Sequence, residues 1–62
     1  MREKERIKRI LILLEEIWNE VPELRLGQLL YNLADFHGDI FYIEDDVIEK
    51  KLQDALDSYR AS

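Results

Sequence analysis

Apolar side chains recur at Ile7, Ile10, Leu11, Leu14, Ile17, Trp18 and Val21, the i, i+3, i+4, i+7 spacing of a helix with one buried face. This pattern predicts a first helix over about residues 2–21. Pro22 closes it, because proline lacks an amide hydrogen and pushes the residue before it away from helical angles. A second helix is predicted over about 25–36, with Leu26, Leu29, Leu30, Leu33 and Phe36 on one side and Arg25, Gln28, Asn32 and Asp35 on the other. His37-Gly38-Asp39 then stops it, Gly38 suiting a helix C-terminus, while Gly27 is expected to let a neighbouring helix approach closely. A third helix is predicted over about 45–59, burying Ile48, Leu52, Ala55, Leu56 and Tyr59. Its start has two possible registers. Either Glu44 caps and Ile43 clasps Ile48 as a hydrophobic staple, or Asp46 caps and Glu49 reaches back as a capping box. The run Ile40 to Ile43 holds strand-forming residues, but a lone strand would have no partner here. An extended segment tied across the helices is therefore expected.

The expected architecture is all-α: one domain spanning residues 1–62, built of three helices. Not every apolar side chain fits inside three helices this short. Ile12 lies about 140° from the centre of the first helix's apolar stripe at 100° per residue, and Leu13, Tyr31 and Tyr42 also lack an obvious place. Exposed apolar surface of this kind marks protein contacts, so a homodimer through the first helix is expected, with Ile12, Leu13 and Trp18 as candidate interface residues. A single exposed isoleucine is also common and needs no explanation.

Size sharpens that expectation. A 62-residue chain hides only about 60% of the surface it exposes when unfolded, so its core is thin. With no cysteine and one histidine, neither disulfides nor a zinc site of the usual Cys/His type can reinforce it. Well-formed helices and a partner chain remain. A content of 47% hydrophobic and 37% charged residues belongs to a folded helical protein rather than a disordered one.

Charge narrows the partners. The net charge of −5 repels phosphate backbones and disfavours direct nucleic-acid binding. Its distribution is uneven: residues 1–9 carry five bases and two acids, a net of +3, and the rest carry four bases and twelve acids, a net of −8. Such polarity favours head-to-tail or antiparallel self-association, or an arm that touches an anionic surface. The short apolar run Ile10 to Leu14 ends at Glu15-Glu16, too early for a signal peptide, and nothing approaches the ~20 apolar residues of a membrane span. A cytoplasmic protein without membrane contact is expected.

Candidate chemistry is sparse. Glu44, Asp45 and Asp46 with Asp39 and His37 have the hard oxygen ligands that suit magnesium or calcium, but adjacent carboxylates at a helix start point in different directions, and no calcium-loop pattern is present. Capping of the helix dipole is the better reading of the acids. His37 beside a helix-terminating glycine has a structural use in bonding the last carbonyls. There is no Cys, and the serines Ser58 and Ser62 lie at the far C-terminus, so no nucleophile, base and oxyanion-donor set can be assembled. The expectation is no enzyme, no catalytic residue, no metal and no cofactor. Arg25, Gln28 and Asn32 share one face of the second helix; such faces are usually only solvated, yet these side chains make directional hydrogen bonds to a partner. Together with Tyr31 and Tyr42 they form the candidate partner-binding set. Arg25 has a structural alternative: pairing with Glu23 or with the Glu44 to Asp46 acids.

Two blocks, Trp18-x-x-x-Pro22-x-Leu24-Arg25-Leu26-Gly27-Gln28-Leu29 and Phe41-Tyr42-Ile43-Glu44-Asp45-Asp46, resemble a family of small uncharacterised bacterial and phage proteins. Asn32, four residues after Gln28, belongs to the same pattern. The resemblance covers about half the chain and implies an all-α fold, with no established activity attached. The sequence thus points to a small non-enzymatic interaction module that pairs with itself and with an unidentified protein. The alternative is an acidic, nucleic-acid-mimicking or nucleic-acid-linked regulatory protein.

Overall fold

A computed structural model describes residues 3–34 and 40–61 and shows an all-α arrangement: α1 (Arg6–Glu20), α2 (Leu26–Ala34), a 3-10 turn (Ile40–Tyr42) and α3 (Asp45–Ala61). No strand occurs among the described residues. The predicted stop at His37-Gly38, the burial of Phe36 and the acid at Asp39 lie outside them.

α1 begins four residues later than its periodicity predicts, because nothing caps it. Glu5 stands at the N-cap with helical angles and no side-chain capping bond, and Lys4-Glu5 form only a turn, with the Ile7 N–H reaching the Lys4 carbonyl at 3.2 Å. Ser, Thr, Asp or Asn would normally satisfy the open amides there, and the segment offers none. At the other end the Val21 N–H bonds the Trp18 carbonyl at 3.1 Å. Val21 to Leu24 then form a turn closed by Leu24 N–H to Val21 carbonyl at 3.1 Å, with Pro22 at the second position, where its fixed φ is favourable.

α3 starts in the first of its two registers. The Glu44 carbonyl receives the N–H groups of Val47 and Ile48 at 3.1 and 3.2 Å, while Ile43 and Ile48 are both half-buried at the staple positions. Glu49 does not close a capping box on Asp46: its carboxylate is held by Arg9 instead. Asp45 and Asp46 occupy the first turn and Arg60 the last, each sign at the favourable end of the dipole.

α1 packs on α3, and the two run parallel. Arg6 and Arg9 near the start of α1 meet Asp45 and Glu49 near the start of α3, and Glu16 towards the other end of α1 meets Arg60 in the last turn of α3. α2 packs mainly on α3. The fully enclosed core is Leu13, Ile17, Leu29, Leu52 and Leu56, with Ile10, Leu14, Trp18, Val21, Leu24, Ile48, Ala55 and Tyr59 packed around it. All five residues expected to line α3's buried face are there.

The face of α1 is not where the periodicity centres it. Leu13, read as a dimer-interface candidate, is only 8% exposed and belongs to the core, whereas Leu11 is 58% exposed. The buried arc is rotated by about 60° from the centre of the apolar stripe at 100° per residue. The physical reason lies in α3: Leu13 and Ile17 close on its Leu52 and Leu56, and Arg6 and Arg9, on the same side of α1, pair with its acids. α2 also buries less than predicted. Leu29 is enclosed, but Leu26 and Leu30 stay more than 40% exposed, because this nine-residue helix presents one narrow side to α3.

Candidate functional site

The first motif block is a joint, and most of its members have local structural work. The Trp18 indole Nε1–H donates to the Leu24 carbonyl at 2.8 Å, fastening the end of α1 to the residue that precedes α2 by two positions. Pro22 shapes the turn between them. Gln28, at the third position of α2, accepts the Arg25 N–H on its Oε1 at 2.9 Å, which is the reach-back half of a capping box. Gln28 was a candidate for recognition; its side-chain oxygen is committed to starting its own helix.

Gly27 is the exception. A Cβ built at this position meets nothing within 4 Å, so no neighbouring helix approaches and the expected close packing is absent. Glycine within a helix costs about 1 kcal/mol relative to alanine, and here no contact among the described residues offsets that cost. Gly27 instead floors an open depression lined by Leu24, Gln28, Tyr31 and Asn32. Tyr31 is 84% exposed on its rim. The structure therefore brings Gln28, Tyr31 and Asn32 together as one surface; the exposed Arg25 side chain is not part of its lining.

The second block divides in the same way. Its acids are structural: Arg6 Nε donates to Asp45 Oδ2 at 2.6 Å, and Asp46 Oδ1 accepts the Val47 N–H at 2.9 Å. Its aromatics face solvent. Phe41 and Tyr42 are 81% and 77% exposed and meet edge to face, with centroids 5.0 Å apart and planes at 78°. The extended segment expected to tie these rings to the core is a 3-10 turn that turns them to solvent. No ring contact joins them to Tyr31 among the described residues, so Tyr42 is a separate feature from the α2 depression.

A polar cleft lies where the two parallel helices begin, lined by Glu3, Arg6, Arg9, Glu44, Asp45, Asp46 and Glu49. Arg9 grips Glu49 with two bonds, Nε to Oε2 at 2.8 Å and Nη2 to Oε1 at 3.2 Å, and also pairs with Glu3. Arg6 adds a bond from Nη1 to the Glu3 carbonyl at 2.8 Å. The bond from Arg9 is the main reason the Glu49 carboxyl titrates below its usual range, with Coulombic attraction adding a little and partial desolvation opposing. The reverse holds for Arg9, raised chiefly by the bond to Glu49 and next by that to Glu3. Arg6 and Arg9, read as part of a basic arm, are thus folded onto the acidic cluster rather than extended towards a phosphate. Arg25 takes no part in neutralising it. Among the described residues no three His, Cys, Asp or Glu side chains converge as a metal-ion site.

Of the dimer candidates, Ile12 is 45% exposed, Leu13 is buried, and Trp18 is half-buried with its ring nitrogen engaged. Periodicity placed Leu11 on the buried face, but it is exposed and with Leu14, Glu15, Trp18 and Asn19 lines a groove on α1. The pattern also passed over Phe41 as a surface residue. At the α2 surface Gln28, Tyr31 and Asn32 were already candidates, and the signal that went unused was Gly27, a glycine near the start of a helix. No described helix is long and apolar enough to cross a membrane. No family model matches the chain, and neither does a curated protein sequence or a solved structure.

Proposed function

We propose that the chain is a non-catalytic protein-interaction module that recognises a protein partner through the depression on α2 and associates with itself through α1. The observation that carries the recognition reading is Gly27. Its lack of a side chain serves no contact among the described residues, and it leaves the helix backbone open between Leu24, Gln28, Tyr31 and Asn32. An incoming backbone can approach such a site closely, with an exposed tyrosine beside it supplying rigid apolar area and a hydroxyl. The pairing of Arg6 and Arg9 with Asp45 and Glu49 supports this reading over nucleic-acid mimicry, because it neutralises part of the densest acidic cluster.

A photo-crosslinking residue in place of Tyr31, introduced into the full chain in bacterial cells, tests it. One discrete protein adduct, lost when Gly27→Arg fills the depression, is expected. Indiscriminate adducts, or an adduct indifferent to Gly27→Arg, would count against the α2 surface.

A further inference from the structure

From Lys4 in the turn ahead of α1, through Ile7, Leu11, Leu14 and Trp18 on the helix, to Val21 at its C-cap, positions recur three, four, three, four and three residues apart. That is the alternation of a coiled-coil seam over about two heptads. Ile7 and Leu11 are at least half exposed, and Leu14, Trp18 and Val21 are half-buried. The core lies to one side of this seam, on the Leu13 and Ile17 arc; Leu14, Trp18 and Val21 pack against it with one flank and keep the other open, while Ile7 and Leu11 are left uncovered by the described residues. The margin away from the core carries Lys8 and then Glu15, both exposed and without an ion pair among the described residues.

We propose that this stripe is a homodimer interface in which two copies of α1 pack antiparallel about a two-fold axis near the midpoint of Leu11 and Leu14. The inference rests on the self-association read above and gives it a face, a direction and a register. Leu11 then sits against the partner's Leu14, and Ile7 against the partner's Trp18. Lys8 comes near the partner's Glu15, and symmetry makes that pair twice. A parallel pairing would set Lys4 and Lys8 against their own copies and align the two helix dipoles, whereas the antiparallel one brings the basic start of α1 to its acidic end. Ile12 lies about 140° round the helix from this seam and takes no part.

Charge supports a second copy as the occupant: the stripe is flanked by Lys8 towards one end and Glu15 towards the other, so a copy turned end for end meets opposite charge at both.

Sedimentation equilibrium of the full chain from micromolar to millimolar concentration, with Trp18 fluorescence as a second signal, tests the arrangement. A dimer is expected, accompanied by a concentration-dependent blue shift as Trp18 loses water. Leu11→Glu, at a side chain the monomer leaves exposed, should weaken dimerisation about a hundredfold while keeping helical circular dichroism. Ile12→Glu should leave it unchanged. Lys8→Glu should weaken it about tenfold at low salt, and the double exchange Lys8→Glu with Glu15→Lys should restore it. A chain that stays monomeric to millimolar concentration overturns the proposal. So does a dimer indifferent to Leu11→Glu, or one that the double exchange fails to rescue. Tyr31 and Gly27 lie off the seam, so the crosslinking outcome reports on partner recognition independently.

Discussion

Leu11 and Leu13 stand two residues apart on α1 and carry the same side chain, yet the fold assigns them opposite energetic roles. Leu13 is 8% exposed and joined to Ile17, Leu52 and Leu56 in the core; Leu11 is 58% exposed. Truncating a buried leucine to alanine removes its transfer free energy and leaves a cavity, about 2–5 kcal/mol in total, so about 3 kcal/mol is expected for Leu13→Ala. For Leu11→Ala, the change in the monomer should stay within about 0.5 kcal/mol. The contrast is large on the scale of this molecule. At 0.05–0.15 kcal/mol per residue, a chain of this length has a total stability on the order of 3–9 kcal/mol. The melting temperature of Leu13→Ala should accordingly fall by about 10–20 °C. Urea unfolding followed by circular dichroism gives both numbers, provided the chain is dilute enough to be monomeric, since dimerisation would add a concentration-dependent contribution through Leu11. Equal losses for the two variants at high dilution would mean that α1 does not bury the face described here. A loss confined to Leu11→Ala would restore the face that the apolar periodicity alone favours.

Other outcomes follow from particular contacts. Gly27→Ala meets no atom within 4 Å and should raise stability by about 0.5–1 kcal/mol by chemical denaturation, while weakening capture of the partner; a loss of stability would mean that the site is filled by the chain itself. Trp18→Phe keeps most of the packing but strands the Leu24 carbonyl, and should cost about 1–3 kcal/mol, with faster amide exchange in the Val21–Leu24 turn as its local signature. The pair between Arg9 and Glu49 makes stability depend on acid. Because the folded state holds the Glu49 carboxyl below its usual value, the stabilisation is fully present above the ordinary carboxylate pKa and is lost as pH falls through the lowered one. The advantage of the native chain over Glu49→Gln should therefore shrink across that acidic window. It should also shrink with added salt at neutral pH, as expected of an exposed pair.

Three helices, the proline-shaped turn after the first and the acid-led start of the third are all legible along the chain, because each rests on contacts between residues a few positions apart. The buried face of α3 is equally legible: Ile48, Leu52, Ala55, Leu56 and Tyr59 form its principal apolar side, and charged or polar residues occupy most of the rest. α1 has no such unambiguous pattern. Its apolar residues, from Ile7 through Ile10, Leu11, Ile12, Leu13, Leu14, Ile17 and Trp18, spread round too much of the helix for periodicity to choose which of them turn inward. That choice is made across space, where α3 lies parallel to α1, Asp45 and Glu49 pair with Arg6 and Arg9, and Leu13 and Ile17 join Leu52 and Leu56 in the core. The emptiness around Gly27 and the outward turn of Phe41 and Tyr42 are likewise matters of what lies across space. A pattern along the chain reports which side chains avoid water, but only the packed helices decide which of them find cover and which are left for another molecule.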